Sequence, residues 1–519
     1  MPRRNRLTPL DRLLRVVTDV RPGEAVTALL LALNIFMVLG AYYLMRPTRQ
    51  ALLGALGDEG TAIQAYLYGA MVLILALVVP LYGKLASTMP RRKLINIVTM
   101  FFAACLAVFY VVLPNTTGAT PGIVFFVWLG IFSVMVIAQL WAFANDLYTR
   151  DEGERLFPLV AFGASSGAVF GAIMSRSVIP AFGVYLPMLL AAVLLMLTLL
   201  VTNYIDTRER RLKEADLPTV FTTGAMPAAT QEIPLSDIRA ALTGEMAVED
   251  VAQTLTGEFT TKEVRAALEQ RERADEGVKD ARAQLEETAQ DLDLSGGESP
   301  FRMVFRCRYL LMIGVLVLLL NWVNTTGEII LTGVVNTAAG EAVAAGDAAG
   351  TAGEFVGTFW ASFYTVQNII ALFLQLFVVS RVIKYLGVRV GLMVLPVIAL
   401  GAYALIAFYP ILAYVRAAKL AENATDYSVN NTVRQVLFLP LTREQKYKAK
   451  QVIDAFFHRA GDVLFSTTYF IGTTFLAFQT KQFALFNLVL VAIWLVLAYQ
   501  IGKEYGRLKS SGRPPCVGG

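Results

Sequence analysis

Apolar stretches of about 20 residues, roughly the length a helix needs to cross the hydrocarbon core of a bilayer, recur along the chain: about six precede residue 207 and about six follow residue 308. Approximate spans read at 25–50, 62–83, 94–113, 121–145, 158–182 and 184–205, then at 309–333, 355–380, 389–409, 411–438, 452–478 and 483–502. The fold class that follows is an all-α polytopic membrane protein. Composition supports this: 56% of the 519 residues are hydrophobic and only 16% are charged, with a mean hydropathy of +0.56, too apolar for a soluble multidomain enzyme.

Basic residues set the orientation. MPRRNRL, MPRRK (89–93), TRDEGER (149–155), TRERRLK (207–213), SRVIKYLGVR (380–389), TREQKYKAK (442–450) and GKEYGRLK (502–509) fall on one side, while PNTTGATPG and VNTAAGEAVAAGDAAG opposite them contain no Lys or Arg. The positive-inside rule places the basic side, and with it both termini, in the cytoplasm. The first apolar run has full spanning length, so it reads as a span and not as a cleavable signal peptide.

Four segments result: a six-helix half at 1–206, a charged cytoplasmic insert at 207–308, a second six-helix half at 309–503 and a cytoplasmic tail at 504–519. The stretch from 207 to 300 holds half of the acidic residues and about a quarter of the basic ones, which leaves the rest of the chain clearly positive. Its Leu and Val spacing and Glu/Arg pairs favour a partly helical, solvated linker.

Enzyme chemistry finds little support. No G-x-x-x-x-G-K-[ST], H-E-x-x-H, paired C-x-x-C or G-x-S-x-G occurs, and Cys105, Cys307 and Cys516 fit neither a disulfide framework nor a metal site. The single histidine, His458, reads as a helix-end residue with no nucleophile beside it. Gly163, Gly167 and Gly171 lie four apart within an apolar span, the spacing of close helix packing in lipid. No catalytic residue, metal or cofactor is expected.

The halves echo one another. GKLASTMPRRKL follows span two and SRVIKYLGVRVGL follows span eight; Thr149-Arg150-Asp151 after span four is answered by Thr442-Arg443-Glu444 after span ten. Two six-helix halves joined by a charged linker resemble the major facilitator layout, and Gly83, Arg91 and Arg92 match part of that superfamily's loop motif.

Charge at membrane depth is the strongest pointer to function, because an ionised side chain near the bilayer centre costs at least ~2.5–3.5 kcal/mol and must meet a partner or a watery cavity. Span one carries Arg46 and Arg49 one turn apart, with Pro47 between them. Asn145 and Asp146 end span four, Arg176 lies in span five, and Asn324 and Glu328 share a face of span seven. In span ten, Arg416, Lys419, Glu422 or Asn423, Asp426 and Asn430 recur every three or four residues, so this helix is amphipathic and is expected to line a central cavity. Such residues serve equally well as interhelical pairs. As a set, their excess of positive charge favours an anionic solute, since guanidinium groups match phosphate or carboxylate bidentately.

NTVRQVLFLPLTREQKYKAKQVIDAFFHRAGD and WAFANDLYTRDEGERLFPLVAFGAS resemble motifs of the ATP/ADP translocases of the plastid and intracellular-bacterial type; YYLMRPTRQALL and VNTTGEIILTG resemble two more. The resemblance covers both halves and omits the insert. It implies an antiporter that exchanges ATP for ADP, often with phosphate, by alternating access at a bacterial inner membrane. The family's span-one lysine falls on Arg49, its span-seven glutamate on Glu328 and its basic residue after span ten on Arg434. Pro47 and Gln50 stand in place of two acids, Asp426 in place of a common lysine, and no carboxylate occupies the span-four position near Leu129.

The expected substrate set is Arg46, Arg49, Asn145, Asn324, Glu328, Asp426 and Arg434. In it the arginines hold the anion, Glu328 and Asp426 neutralise them when the site is empty, and the asparagines orient the ligand. The expected partners are a small anionic solute, ATP/ADP above all, and the bilayer. No nucleic acid is expected, and the chain is expected to act as a monomer. The rival readings are a transporter of another organic anion and a membrane sensor or scaffold acting through the insert.

Overall fold

The computed structural model describes residues 21, 24–89, 91–148, 150–216, 299–346, 350–441 and 443–511. The chain divides into two units, 1–210 with 300–519, and 211–299. Of the second unit only 211–216 and 299 are described, so the expected helical character of the insert lies outside the described residues.

The first unit begins with six helices: α1 (Ala25–Gly54), α2 (Asp58–Thr88), α3 (Arg91–Val112), α4 (Thr120–Leu147), α5 (Arg150–Phe182) and α6 (Leu186–Asp216). A short helix at Pro300–Arg306 leads into α7 (Arg308–Ala344), α8 (Ala352–Phe377) and α9 (Gly387–Phe408). The tenth rod, α10, runs Leu412–Thr425, passes through a π-helical turn at Asp426–Asn430 and ends as Asn431–Val436. The eleventh, α11, likewise joins Arg443–Val452 to His458–Phe475 through a π turn at Ile453–Phe457, and α12 (Thr480–Ser511) completes the bundle.

Twelve rods therefore occupy the twelve expected spans. Ten helices among the described residues are long and apolar enough to cross a membrane. The two positions that fall short, α10 and α11, are each interrupted by a π turn and loaded with polar side chains; a third π turn, at Val382–Leu386, precedes α9. A π turn widens the helix and frequently marks a functional site.

Each half builds its own core. One apolar cluster joins residues of α1 and α3–α6; another joins α7–α12 and admits Tyr43, Ala168 and Ala172 from the first half. Small residues bring α1 and α5 into backbone contact, as the four-residue glycine spacing predicts. A Cβ on Gly163, Gly167 or Gly171 would stand 2.4, 2.2 and 2.2 Å from the carbonyl oxygens of Ala32, Phe36 and Gly40.

Between the halves, α2 meets α11, where Ser466 Oγ donates to the Ala65 carbonyl at 2.7 Å, and α5 meets α8, where Asn368 Nδ2 donates to the Ala168 carbonyl at 3.3 Å. These two contacts are exchanged by the relation that maps α1–α6 onto α7–α12, as an internal repeat requires. At the end of the bundle remote from the chain termini, the distal face, Asn336 Nδ2 donates to the Gly57 carbonyl and to Thr61 Oγ1 at 3.1 and 2.9 Å. Gly57 reverses the chain between α1 and α2 with φ +60°, a conformation that suits glycine. Among the described residues Cys105 is free.

Candidate substrate site between the two halves

The buried arginines of α1 project into the seam between the halves. Pro47 sits inside the helix between them, and Arg46 and Arg49 are only 9% and 8% exposed. The Arg46 guanidinium lies 4.3 Å over the ring of Tyr364 and 5.3 and 5.7 Å from those of Tyr43 and Tyr42. Tyr427 completes a set of four tyrosines whose electrostatics reach it, and no ion pair among the described residues includes it. Arg49 lies 4.7 Å over Phe126 and 3.7 Å from Glu328 Oε1, a long ion pair in which the two side chains are 9% and 17% exposed.

Glu328 also accepts from Gln50 Nε2 at 3.4 Å. One carboxylate thus serves a guanidinium and an amide, while the second guanidinium one turn away is ringed by tyrosines. Several buried polar atoms around this point have no hydrogen-bond partner: Arg46 Nε, Arg49 Nε, Gln50 Oε1, both ends of Gln64 and the Tyr364 hydroxyl. Buried polar atoms are normally paired, so such a concentration is what a binding site for a polar ligand looks like.

Tyr427 is 46% exposed, yet it lies within electrostatic reach of Tyr42 and Arg46 on α1, Glu328 on α7 and its neighbour Asp426. Its ring thus lies within reach of charges from both halves.

The structure divides the expected residue set. Arg46, Arg49 and Glu328 come together, joined by Gln50. Asn324 does not join them: its Oδ1 accepts from Lys419 Nζ at 2.9 Å, so its carbonyl is committed to the second half. Asp426 accepts from Asn430 Nδ2 at 2.7 Å across the π turn, and the basic groups whose charges reach it are Arg434 and Lys419. It therefore does not neutralise the α1 arginines, because the helix places it beside its own basic neighbours. Arg434 is half-buried two turns further along α10, with its Nε unpartnered. The side chain of Asn145 lies outside the described residues, as do parts of the basic turns after spans two, four and ten. Arg176 is exposed and stands apart from the site.

Several contributors lie outside the expected substrate set, some of them already marked by the polar face of span ten. Lys419 and Glu422 form an ion pair at 2.9 Å with side chains 0% and 3% exposed. Tyr403 on α9 lies 3.2 and 3.3 Å from the Glu422 oxygens and donates to the Val323 carbonyl at 2.9 Å. Room for this cluster comes from Gly327, where a Cβ would stand 2.1 Å from the Tyr403 hydroxyl and 2.9 Å from Lys419 Nζ. Gln64 and Tyr68 on α2 approach Arg49 and Glu328 from a third side; a lone glutamine in an apolar span was the available signal. Asn423 Nδ2 donates to Gln367 Oε1 at 3.1 Å, tying α10 to α8. A third polar node, Asp462 on α11, accepts from Asn321 Nδ2 at 2.7 Å and pairs with Arg459 at 3.2 Å. His458 enters that node only through its backbone carbonyl, which accepts from Asn321 at 2.8 Å.

No protein-family model matches the chain. Two curated relatives do: the "ADP,ATP carrier protein 1" of Chlamydia pneumoniae, 28% identical over 167 residues, 28% of this chain and 32% of the relative, and that of Chlamydia muridarum, 27% identical over 172 residues, 29% and 32%. The match thus spans about a third of the length of these carriers, in agreement with the resemblance seen in the motifs. Solved structures with the same fold include a POT family transporter in complex with 5-aminolevulinic acid, at TM-score 0.53 and 12% identity over 93% of this chain and 96% of the other. A bacterial homologue of the human lysosomal transporter Spinster, in an inward-facing and unoccupied conformation, aligns at TM-score 0.50 and 12% identity over 96% and 100%. The protein is an all-α polytopic membrane protein with the major facilitator fold.

Proposed function

We propose that the protein is a secondary transporter that moves an anionic solute by alternating access, and that this solute is an adenine nucleotide exchanged as ATP for ADP. The observation that carries the reading is Arg46: a guanidinium buried between the halves, over the Tyr364 ring, with no ion-pair partner among the described residues. Burying an uncompensated charge is costly, and an anionic ligand relieves that cost while matching the donor geometry of the guanidinium. The partial similarity to ADP,ATP carriers supports the nucleotide as the anion.

In this reading Arg46 and Arg49 hold the phosphates. Glu328 yields Arg49 to the arriving anion and retains Gln50, so the empty site is not left with two bare cations. The tyrosines around Arg46, Tyr427 foremost because it is the most exposed of them, offer faces for a flat base. Arg434, nearer the basic face, draws the anion in. Asn145 and Asn324 keep their proposed orienting role only through atoms that remain free; the Asn324 carbonyl is held by Lys419. The contacts α2–α11 and α5–α8 act as the surfaces on which the halves rock, and the Asn336–Thr61 bond closes the distal face in the present conformation.

Uptake of labelled ATP into proteoliposomes preloaded with ADP tests this. Exchange that requires internal ADP or ATP is the expected result. Exchange of other organic anions with none for nucleotides would keep the transporter and remove the nucleotide. A bundle that transports nothing, with activity lost on deleting 207–299, would favour the sensor or scaffold.

A further inference from the structure

A cavity lies outside the seam, on the flank of the first half. It measures about 690 Å³ and is walled by α2, α3 and α4, with Leu85, Ile97, Phe101, Val124, Trp128 and Met135 among its lining; every lining residue is apolar. Its floor is aromatic: Phe102 and Phe109 of α3 meet Trp128 edge-on, and behind the lining Trp128 stacks on Phe125 and Phe132 along α4 with interplanar angles of 19° and 16°. The floor is buried, with Phe102 2% and Trp128 8% exposed, while Phe101 on the rim is 59% exposed. From Ile97 to Phe109 the groove follows twelve residues of α3, about 18 Å at the α-helical rise, a little more than half of the ~30 Å hydrocarbon core.

One end of this apolar trough is basic. Lys93 is exposed one turn before Ile97, and Arg92 is 43% exposed, with its Nε donating to Asn203 at 2.9 Å and its Nη1 3.7 Å from Asp206. Lys84 adjoins the groove residue Leu85. Asp206 offsets part of the Arg92 charge, and Lys93 adds a second exposed cation beside it.

We propose that this groove binds an anionic diacyl phospholipid, with one acyl chain along the aromatic floor and the headgroup phosphate against Lys93 and Arg92. A preformed apolar slot about one leaflet long, capped by cations where a headgroup would stand, combines the two interactions that bind such a lipid: burial of the acyl chain and attraction between basic side chains and an anionic headgroup. The inference is independent of what the central site transports.

Trp128 provides the readout. The full chain is reconstituted into phosphatidylcholine vesicles in which a fixed fraction of lipid carries brominated acyl chains under either a phosphatidylglycerol or a phosphatidylcholine headgroup, and tryptophan quenching is compared. Quenching is expected to be stronger with the anionic headgroup, with apparent affinity higher by about fivefold per basic residue. Trp128→Phe should remove the difference, and Arg92→Gln/Lys93→Gln should equalise the headgroups. If the double substitution does not fold, Lys93→Gln alone, at an exposed position, should narrow the preference. Equal quenching by the two headgroups in the unsubstituted protein, or a preference that survives Trp128→Phe unchanged, would overturn the proposal and leave only unselective annular lipid.

Discussion

Replacing Lys419 by Met removes the ammonium from the most deeply buried ion pair described and keeps most of the apolar stem. Lys419 Nζ donates to Glu422 Oε2 at 2.9 Å and to Asn324 Oδ1 at 2.9 Å, and the two charged side chains are 0% and 3% exposed. Without it, Glu422 keeps only the Tyr403 hydroxyl. Breaking a buried pair from one side typically costs ~3–5 kcal/mol, because the surviving charge is uncompensated; that is roughly a hundredfold or more in the ratio of folded to unfolded protein. Removing both charges with Lys419→Met/Glu422→Leu avoids that penalty and is expected to cost far less than the single change, or to stabilise. Reversible unfolding in mixed detergent micelles, followed by circular dichroism across all four members of the cycle, gives the coupling directly. The reasoning fails if Lys419→Met alone costs under about 1 kcal/mol, or if the double variant is no more stable than that single one.

Arg46→Ala is expected to weaken the apparent affinity for the transported anion by roughly tenfold to a hundredfold, the value of a charge-assisted hydrogen bond, with the fold retained; transport kinetics in proteoliposomes beside a thermal unfolding curve check this. Gly167→Val forces a Cβ to within 2.2 Å of the Phe36 carbonyl oxygen and 2.7 Å of its Cα. Since backbone cannot swing aside, α1 and α5 must separate, and a loss of at least about 1–3 kcal/mol is expected in the same unfolding assay. At the basic face, burial alone would raise the Glu24 carboxyl, but hydrogen bonds from both Arg155 Nη atoms at 3.0 and 2.9 Å, another from the Arg21 backbone N–H, and the two positive charges outweigh it and hold the group below its usual range. Its stabilising contribution is complete above the unfolded carboxylate value of about 4.3 and is lost as pH falls through the lowered folded value. Glu24→Gln should therefore flatten the acid limb of thermal stability below about pH 4.3; an unchanged limb would show that the pair contributes nothing there.

Much of the architecture was legible because the signals are local. A run of about 20 apolar residues declares a span wherever it occurs, the four-residue glycine rhythm predicted the α1–α5 contact that the Phe36 carbonyl now explains, and the polar periodicity of span ten marked the helix that carries Lys419, Glu422, Asp426 and Tyr427. The site was half legible. Depth singled out Arg46, Arg49 and Glu328, which do converge. Asn324 and Asp426 are as deep and as polar, but they turn to Lys419 and Asn430, and nothing in their spacing says so. Gln50 was read as a missing acid, and the folded chain makes it the second partner of Glu328.

By itself, then, the amino-acid order determined the solvent of this protein, where the described helices run along the chain, and which of them carry charge that lipid cannot tolerate. Those properties follow from transfer free energies and helical geometry, which act over one turn or one span. The tertiary structure decided which charge answers which. Gln50 and Glu328 are 278 positions apart, Asn336 and Thr61 are 275 apart, and Tyr427 is open although the charges of both halves reach it. An ion pair forms or fails over a few ångströms, so only the packing of one half against the other could leave Arg46 facing tyrosines while Arg49 received the carboxylate.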